Sequence, residues 1–101
     1  MTVVRISRGR FRPEQFEAVE EALASGAESL VAAVRALPGL LHYYAGVDRV
    51  TSGVVNVSFW KDLASAKQMD GLRAMQVQRE IFLGLGVEFD QIANFTRVWE
   101  L

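Results

Sequence analysis

Residues 38–62 read PGLLHYYAGVDRVTSGVVNVSFWKD, and the fold turns on how this stretch is divided. Leu40–Val47 and Gly53–Trp60 are two short runs rich in β-branched and aromatic residues. The polar segment DRVTSG between them carries the turn-forming residues of a hairpin loop. Pro38 and Gly39 end whatever precedes the first run, and Asp62 is placed to cap a helix starting at Leu63. Strand 2 alternates as Leu41, Tyr43, Ala45, Val47 against Leu40, His42, Tyr44, Gly46. Strand 3 alternates as Val55, Val57, Phe59 against Val54, Asn56, Ser58, Trp60. Neither face is cleanly polar, as one would be in an antiparallel sheet wetted on one side. The simplest account is that the face without helices packs on a second copy of the same sheet, giving a homodimer.

Working outward, residues 3–9, VVRISRG, form a first strand ending at Gly9. Pro13 suits the first helical position, and Phe16, Val19, Leu23, Leu30, Val34 and Leu37 recur at helical spacing through Ala36. Within this stretch ASGAES (24–29) is expected to kink or divide the helix, because Gly26 costs about 1 kcal/mol against alanine. After Leu63 a helix is interrupted at Gly71. LRAMQVQREIFLGL (72–85) regains the period through Leu72, Met75, Phe82 and Leu83, with Arg73 and Arg79 turned to water. GVEFDQIAN (86–94) reads as a loop, and FTRVWEL (95–101) as a closing strand. The order β-α-β-β-α-β is the split βαβ, ferredoxin-like α+β arrangement, four antiparallel strands with helices on one face. Residues 1–101 are expected to be a single domain.

Bulk properties narrow the function classes. A chain of 101 residues, 50% of them hydrophobic, buries only roughly 65% of its unfolded surface and gains from a partner. The net charge of −1 lacks the basic footprint of a nucleic-acid binder. No cysteine is present, so disulfides, thiolate nucleophiles and Cys-ligated metals are out. No run approaches the ~18 apolar residues of a membrane span, and a cytoplasmic location is expected. Glu14, Glu17, Glu20 and Glu21 form a solvated helix face suited to a helix N-terminus, without the His and convergent spacing of a metal site.

Asn56 is the least expected residue of strand 3. An amide among valines is either satisfied structurally or part of a site, since leaving it unpaired and buried costs ~1–3 kcal/mol. Trp60 suits packing under a helix, His42 and Tyr44 suit a packed dimer face, and Arg5 and Arg97 suit solvated positions on outer strands. Pairing with Glu100 or binding of an anionic substrate are the other readings of the two arginines.

PGLLHYY, the hairpin, VVNVSFW and the following helix resemble the antibiotic biosynthesis monooxygenase family of small dimeric α/β barrels, over residues 3–75. The resemblance implies oxidation of an electron-rich phenol or anthrone by O2 to a quinone, without flavin, metal or nicotinamide. Members acting on aromatic polyketides have an Asn and a Trp four residues apart on strand 3, as Asn56 and Trp60 are. On that likeness Asn56 and Trp60 orient a small aromatic substrate, and His42 or Tyr44 assists its deprotonation. Many members carry a helix His nine residues after the Trp, which haem-degrading relatives use as an iron ligand. Met69 stands there in this chain, which argues against haem and leaves no cofactor or metal expected. The alternative is a non-catalytic dimeric barrel that binds a small ligand or a protein partner. A cavity separates the two: an oxygenase requires an apolar pocket on the order of 300 Å³ or more with Asn56 and Trp60 at its wall.

Overall fold

The computed structural model describes all 101 residues as five strands and three α-helices. In chain order these are β1 (Val3–Arg10), α1 (Phe16–Arg35), β2 (Leu40–Asp48), β3 (Gly53–Trp60), α2 (Leu63–Lys67), α3 (Arg73–Gly84), β4 (Glu88–Phe89) and β5 (Ala93–Thr96), with single 3-10 turns at Pro13–Gln15 and Gln68–Gly71. The sheet is antiparallel with order β2-β3-β1-β4, and β5 also pairs with β1. This is the expected α+β, ferredoxin-like arrangement, with the fourth strand position filled in two pieces.

That division corrects the expected C-terminal strand over 95–101. Glu88 and Phe89 pair with Arg10 and Gly9, and Ala93–Thr96 pair with Ile6–Val3. Between them the Asp90 N–H still donates to Arg8 O at 2.9 Å. The Asp90 carboxylate turns to Arg10 Nη1 at 2.9 Å and Arg8 Nε at 3.9 Å. Residues 97–101 have no regular structure.

Helix α1 runs through Gly26 without a break, against the expected kink. The glycine is there for α3: a Cβ at position 26 would stand 2.2 Å from Oε1 of Gln78. Gln78 is buried at 5% exposure, and its Nε2 donates to Ala22 O at 3.0 Å. The notch lets a buried amide bridge the two helices, which outweighs the modest propensity cost. Phe16, Val19, Leu30 and Val34 are buried as the helical stripe requires. On α3 the inward positions are Met75, Gln78 and Phe82, whereas Leu83 is half exposed.

Gly39 has φ of +87°, and its own missing Cβ leaves room for Ser65 Oγ, 2.3 Å from where that Cβ would lie. The Pro38–Gly39 turn is thereby fixed against α2, whose N-cap is Asp62, its Oδ1 accepting from Ser65 N at 2.8 Å. A bulge between Leu40 and His42 resets the register of β2 on β3. Leu40 consequently pairs with Trp60 and joins Tyr43, Ala45 and Val47 on the face towards the helices. The expected alternation had put Leu40 with His42; one extra residue reverses the side.

Two dry clusters hold the layers together. One contains Phe11, Phe16, Val19, Val54, Phe82 and Val87. The other contains Val3, Val34, Trp60, Ala66 and Met69. On the helix-facing side of the central strands, Val3 and Gly9 of β1 lie opposite Trp60 and Val54 of β3. Between these ends the pairs Arg5–Ser58 and Ser7–Asn56 leave a polar middle.

Candidate active site

Over that polar middle the helices do not close. A cavity of about 350 Å³ lies between the sheet and the segment from Met69 to Phe82, with Phe89 to Ile92 along one edge. Its floor is Arg5, Ser7, Tyr43, Asn56 and Ser58, five polar side chains from three adjacent strands. Its apolar walls are Met69, Met75, Phe82, Phe89 and Ile92. The Phe82 and Phe89 rings meet edge-on at 6.3 Å, and Arg79 lies over Phe89, 4.5 Å from the ring centroid. Arg79 is therefore at the rim of the cavity and not simply turned to water.

Asn56 faces this space, and its Oδ1 is buried with no hydrogen-bond partner. Burial of an unpaired amide oxygen is costly, so the fold alone does not account for it. Trp60 lies on the same sheet face but not at the wall: it is fully buried in the second cluster. Its indole Nε1 donates to Ser58 Oγ at 2.8 Å, and Ser58 does line the cavity. With one lone pair of Ser58 taken by the indole, the hydroxyl hydrogen is left to point elsewhere. The expected pair thus reaches the space by different routes, Asn56 directly and Trp60 through Ser58.

His42 and Tyr44 are not brought to this site. Their β3 partners are Phe59 and Val57, on the opposite side of the sheet, where His42 stacks on Tyr44 at 6.2 Å and meets Phe59 edge-on at 6.0 Å. The expected help with deprotonation therefore has no geometry within one chain, because the sheet itself separates these rings from Asn56. Met69 is buried against Trp60 at the inner end of the cavity.

Three further side chains belong to the floor, and of these the sequence singles out only Arg5, with binding of an anionic substrate as a secondary reading. Arg5, read there as solvated on an outer strand, sits on the central strand at 6% exposure. Its Nη2 donates to Asp70 Oδ1 at 2.7 Å, while Nη1 is buried without a partner. Arg97, by contrast, pairs with Glu100 at the surface. Tyr43 is partly buried; burial pushes its phenol up to about 12, against a smaller opposing pull from Arg5. It remains a neutral hydroxyl at any physiological pH. Ser58 is the third. The alternation of β1 does place Arg5 with Ser7, but only the β1–β3 register shows that they share a floor with Asn56.

A family model described as antibiotic biosynthesis monooxygenase matches residues 2–80. Among solved structures, a Deinococcus radiodurans protein is similar at 15% identity and a TM-score of 0.75, over 98% of this chain and 95% of that one. Rv0793 from Mycobacterium tuberculosis is similar at 16% identity and 0.68, over 99% and 98%. SnoaB, a cofactor-independent oxygenase from Streptomyces nogalater, is similar at 19% identity and 0.66, over 99% and 96%. No curated protein sequence matches. At these identities the structural likeness establishes the fold.

Proposed function

Because the chain belongs to the antibiotic biosynthesis monooxygenase family, we propose that it is a cofactor-independent oxygenase converting a small phenol to a quinone with O2. The observation that carries this reading is a cavity of about 350 Å³ kept open over an unpaired amide oxygen, in the size range of small-ligand sites. A purely structural barrel would gain by filling the space with side chains. SnoaB, with the same fold, is a cofactor-independent oxygenase, which supports the class of reaction.

The chemistry asks for placement and for stabilisation of negative charge. Asn56 Oδ1 accepts a hydrogen bond from the substrate and orients the ring between Met75, Phe82 and Ile92. The phenol passes its proton to a water admitted to the cavity, and the Ser58 hydroxyl, held by the Trp60 N–H, donates to the developing oxyanion. The anion passes one electron to O2. Recombination of the two radicals, with a proton taken up, forms a C–O bond as a hydroperoxide. Loss of water then leaves the quinone, so that phenol and O2 give quinone and H2O with no external reductant. The apolar walls keep the radical pair dry.

We propose further that the protein acts as a homodimer through the outer sheet face. Tyr44 is 59% exposed there and Phe95 50%, beside Val57, Phe59 and Ile6.

An oxygen electrode with a panel of anthrones and quinols tests the reaction. Oxygen uptake matched by quinone absorbance is expected with wild type and is strongly reduced in Ser58→Ala. No uptake above the buffer rate across the panel overturns the oxygenase reading.

A further inference from the structure

Arg5 has no part in the oxidation as derived, yet it is the buried cation on the cavity floor. Its side chain is 7% exposed, and a guanidinium keeps its charge at every pH a folded protein meets. Asp70 satisfies Nη2. Nη1, buried and without a partner, is a charged donor in search of an acceptor. Two amide oxygens are also buried without partners, Asn94 Oδ1 and Asn56 Oδ1. Asn94 stands opposite Arg5 on β5 but does not line the cavity, whereas Asn56 does and is there an acceptor in search of a donor. In the β1–β3 register Arg5 stands opposite Ser58, and Asn56 opposite Ser7, so the two orphans that belong to cavity-lining residues are diagonal neighbours on adjacent strands. Diagonal positions are about 7–8 Å apart at the backbone, within the span of one planar bicyclic molecule.

Other charges near the opening are already engaged. Asp70 is taken by Arg5, and Asp90 by Arg10 and Arg8. Arg79 lies on Phe89 at the rim. The floor therefore offers a fixed positive donor at one point and a neutral acceptor at another. At neutral pH a phenol, with a pKa of about 10, is a hydroxyl donor, whereas a carboxylic acid, at about 4, is an anionic acceptor. One molecule bearing both groups matches both orphans without any change of protonation, and carboxylate on guanidinium is the stronger kind of hydrogen bond.

We infer that the cavity takes a planar hydroxyaryl carboxylate, its carboxylate on Arg5 Nη1 and its hydroxyl on Asn56 Oδ1. This rests on the oxygenase reading for what happens to the hydroxyl-bearing ring, but not for binding itself. The carboxylate end sets which way round the ring lies, and Arg5 is thus the residue that determines specificity.

The test is calorimetric titration with naphthoate, naphthol and a set of hydroxynaphthoate isomers. In wild type the best hydroxynaphthoate binds about tenfold or more tighter than either single-group probe, as expected for one further satisfied buried partner. In Arg5→Gln the advantage of carboxylate-bearing probes is lost and naphthol is unaffected. In Asn56→Ala the hydroxynaphthoate falls to the level of naphthoate, and naphthoate itself is unaffected. Arg5→Lys keeps the charge in place if the glutamine variant does not fold, and retains a reduced carboxylate preference. Equal affinity for all three probe types in wild type, no binding of any of them, or an equal loss for all probes in the arginine variants overturns the inference. Oxygen uptake with quinols is read separately. The binding pattern without uptake leaves the inference standing and removes the oxygenase reading; uptake without the pattern does the reverse.

Discussion

The indole N–H of Trp60 donates to the hydroxyl of Ser58 at 2.8 Å, so a residue with no exposed surface acts on a cavity that it does not touch. In the proposed reaction Trp60 is a positioning residue and Ser58 the group that meets the substrate. Trp60→Phe keeps an aromatic ring in the cluster with Val3 and Met69 but frees the Ser58 hydroxyl to rotate. A stability loss of about 1–3 kcal/mol is expected from the lost bond and volume, with turnover lowered about tenfold. Ser58→Ala should lower turnover about 10²-fold, as loss of an oxyanion donor does. If Trp60 acts only through Ser58, the double variant turns over no more slowly than Ser58→Ala alone. Multiplying effects in that cycle would mean that the two act independently.

Tyr43 provides a pH test of how dry the cavity floor is. Its phenol has a folded pKa pushed up to about 12 by burial, against about 10 in the unfolded chain. Below pH ~10 both states hold the proton and the tyrosine contributes its full stability. Between about 10 and 12 the unfolded chain gives up the proton and the folded one does not, so stability falls as pH rises, by an amount on the order of 2–3 kcal/mol. Denaturant melts of wild type and Tyr43→Phe across this range should diverge from parallel only above pH ~10, with wild type losing more. Parallel curves would place the phenol in contact with water.

At Gly26 the sign of a mutation should depend on the residue opposite. A β-carbon there would stand 2.2 Å from Gln78 Oε1, and the displaced amide would lose its 3.0 Å bond to Ala22 O. Gly26→Ala is expected to destabilise by about 1 kcal/mol, the cost of the displaced buried amide exceeding the gain in helix propensity. In a Gln78→Ala background the same substitution should stabilise by up to about 1 kcal/mol. Stabilisation in both backgrounds, read from thermal melts, would mean that Gln78 has an alternative place to go.

Local signals carried most of this architecture, and the misreadings share a cause. The hairpin over 40–60, the Asp62 cap and the α1 stripe depend on neighbours within a few residues, and the structure has them where the pattern puts them. The bulge at Leu41 leaves no mark in LLHYY, because an extra leucine satisfies either face of the strand. β4 and β5 are two and four residues long, too short for a period to register. Asn56 stood out as an amide in a valine run. Arg5 was legible only as an outer-strand residue with anionic-substrate binding as a secondary reading, because its burial is decided by pairing with Asp70, 65 residues away, and by β1 lying inside the sheet and not at its edge. His42 and Tyr44 were legible as a pair on one face. That this face turns away from the helices depends on which rows the helices cover, a tertiary fact.

The outer sheet face makes the last prediction. Tyr44 and Phe95 are 59% and 50% exposed on a surface whose other members, Ile6, Val57 and Phe59, are only partly covered. An apolar sheet face of this kind, left to water, forfeits the burial that a chain of 101 residues needs most. Two-fold pairing of identical faces covers both at once. Sedimentation of wild type at micromolar concentration should give about twice the chain mass. Tyr44→Asp places a charge where it must be desolvated on pairing, and should shift the protein towards monomer. Its melting temperature should fall, and the concentration dependence that mass action gives the melting of the wild-type dimer should weaken as monomer takes over. The cavity lies on the other side of the sheet, so the fraction that remains dimeric should bind aromatic probes with unchanged affinity. A wild-type monomer would leave the face uncovered and end the dimer reading. A dimeric Tyr44→Asp would move the interface away from this face.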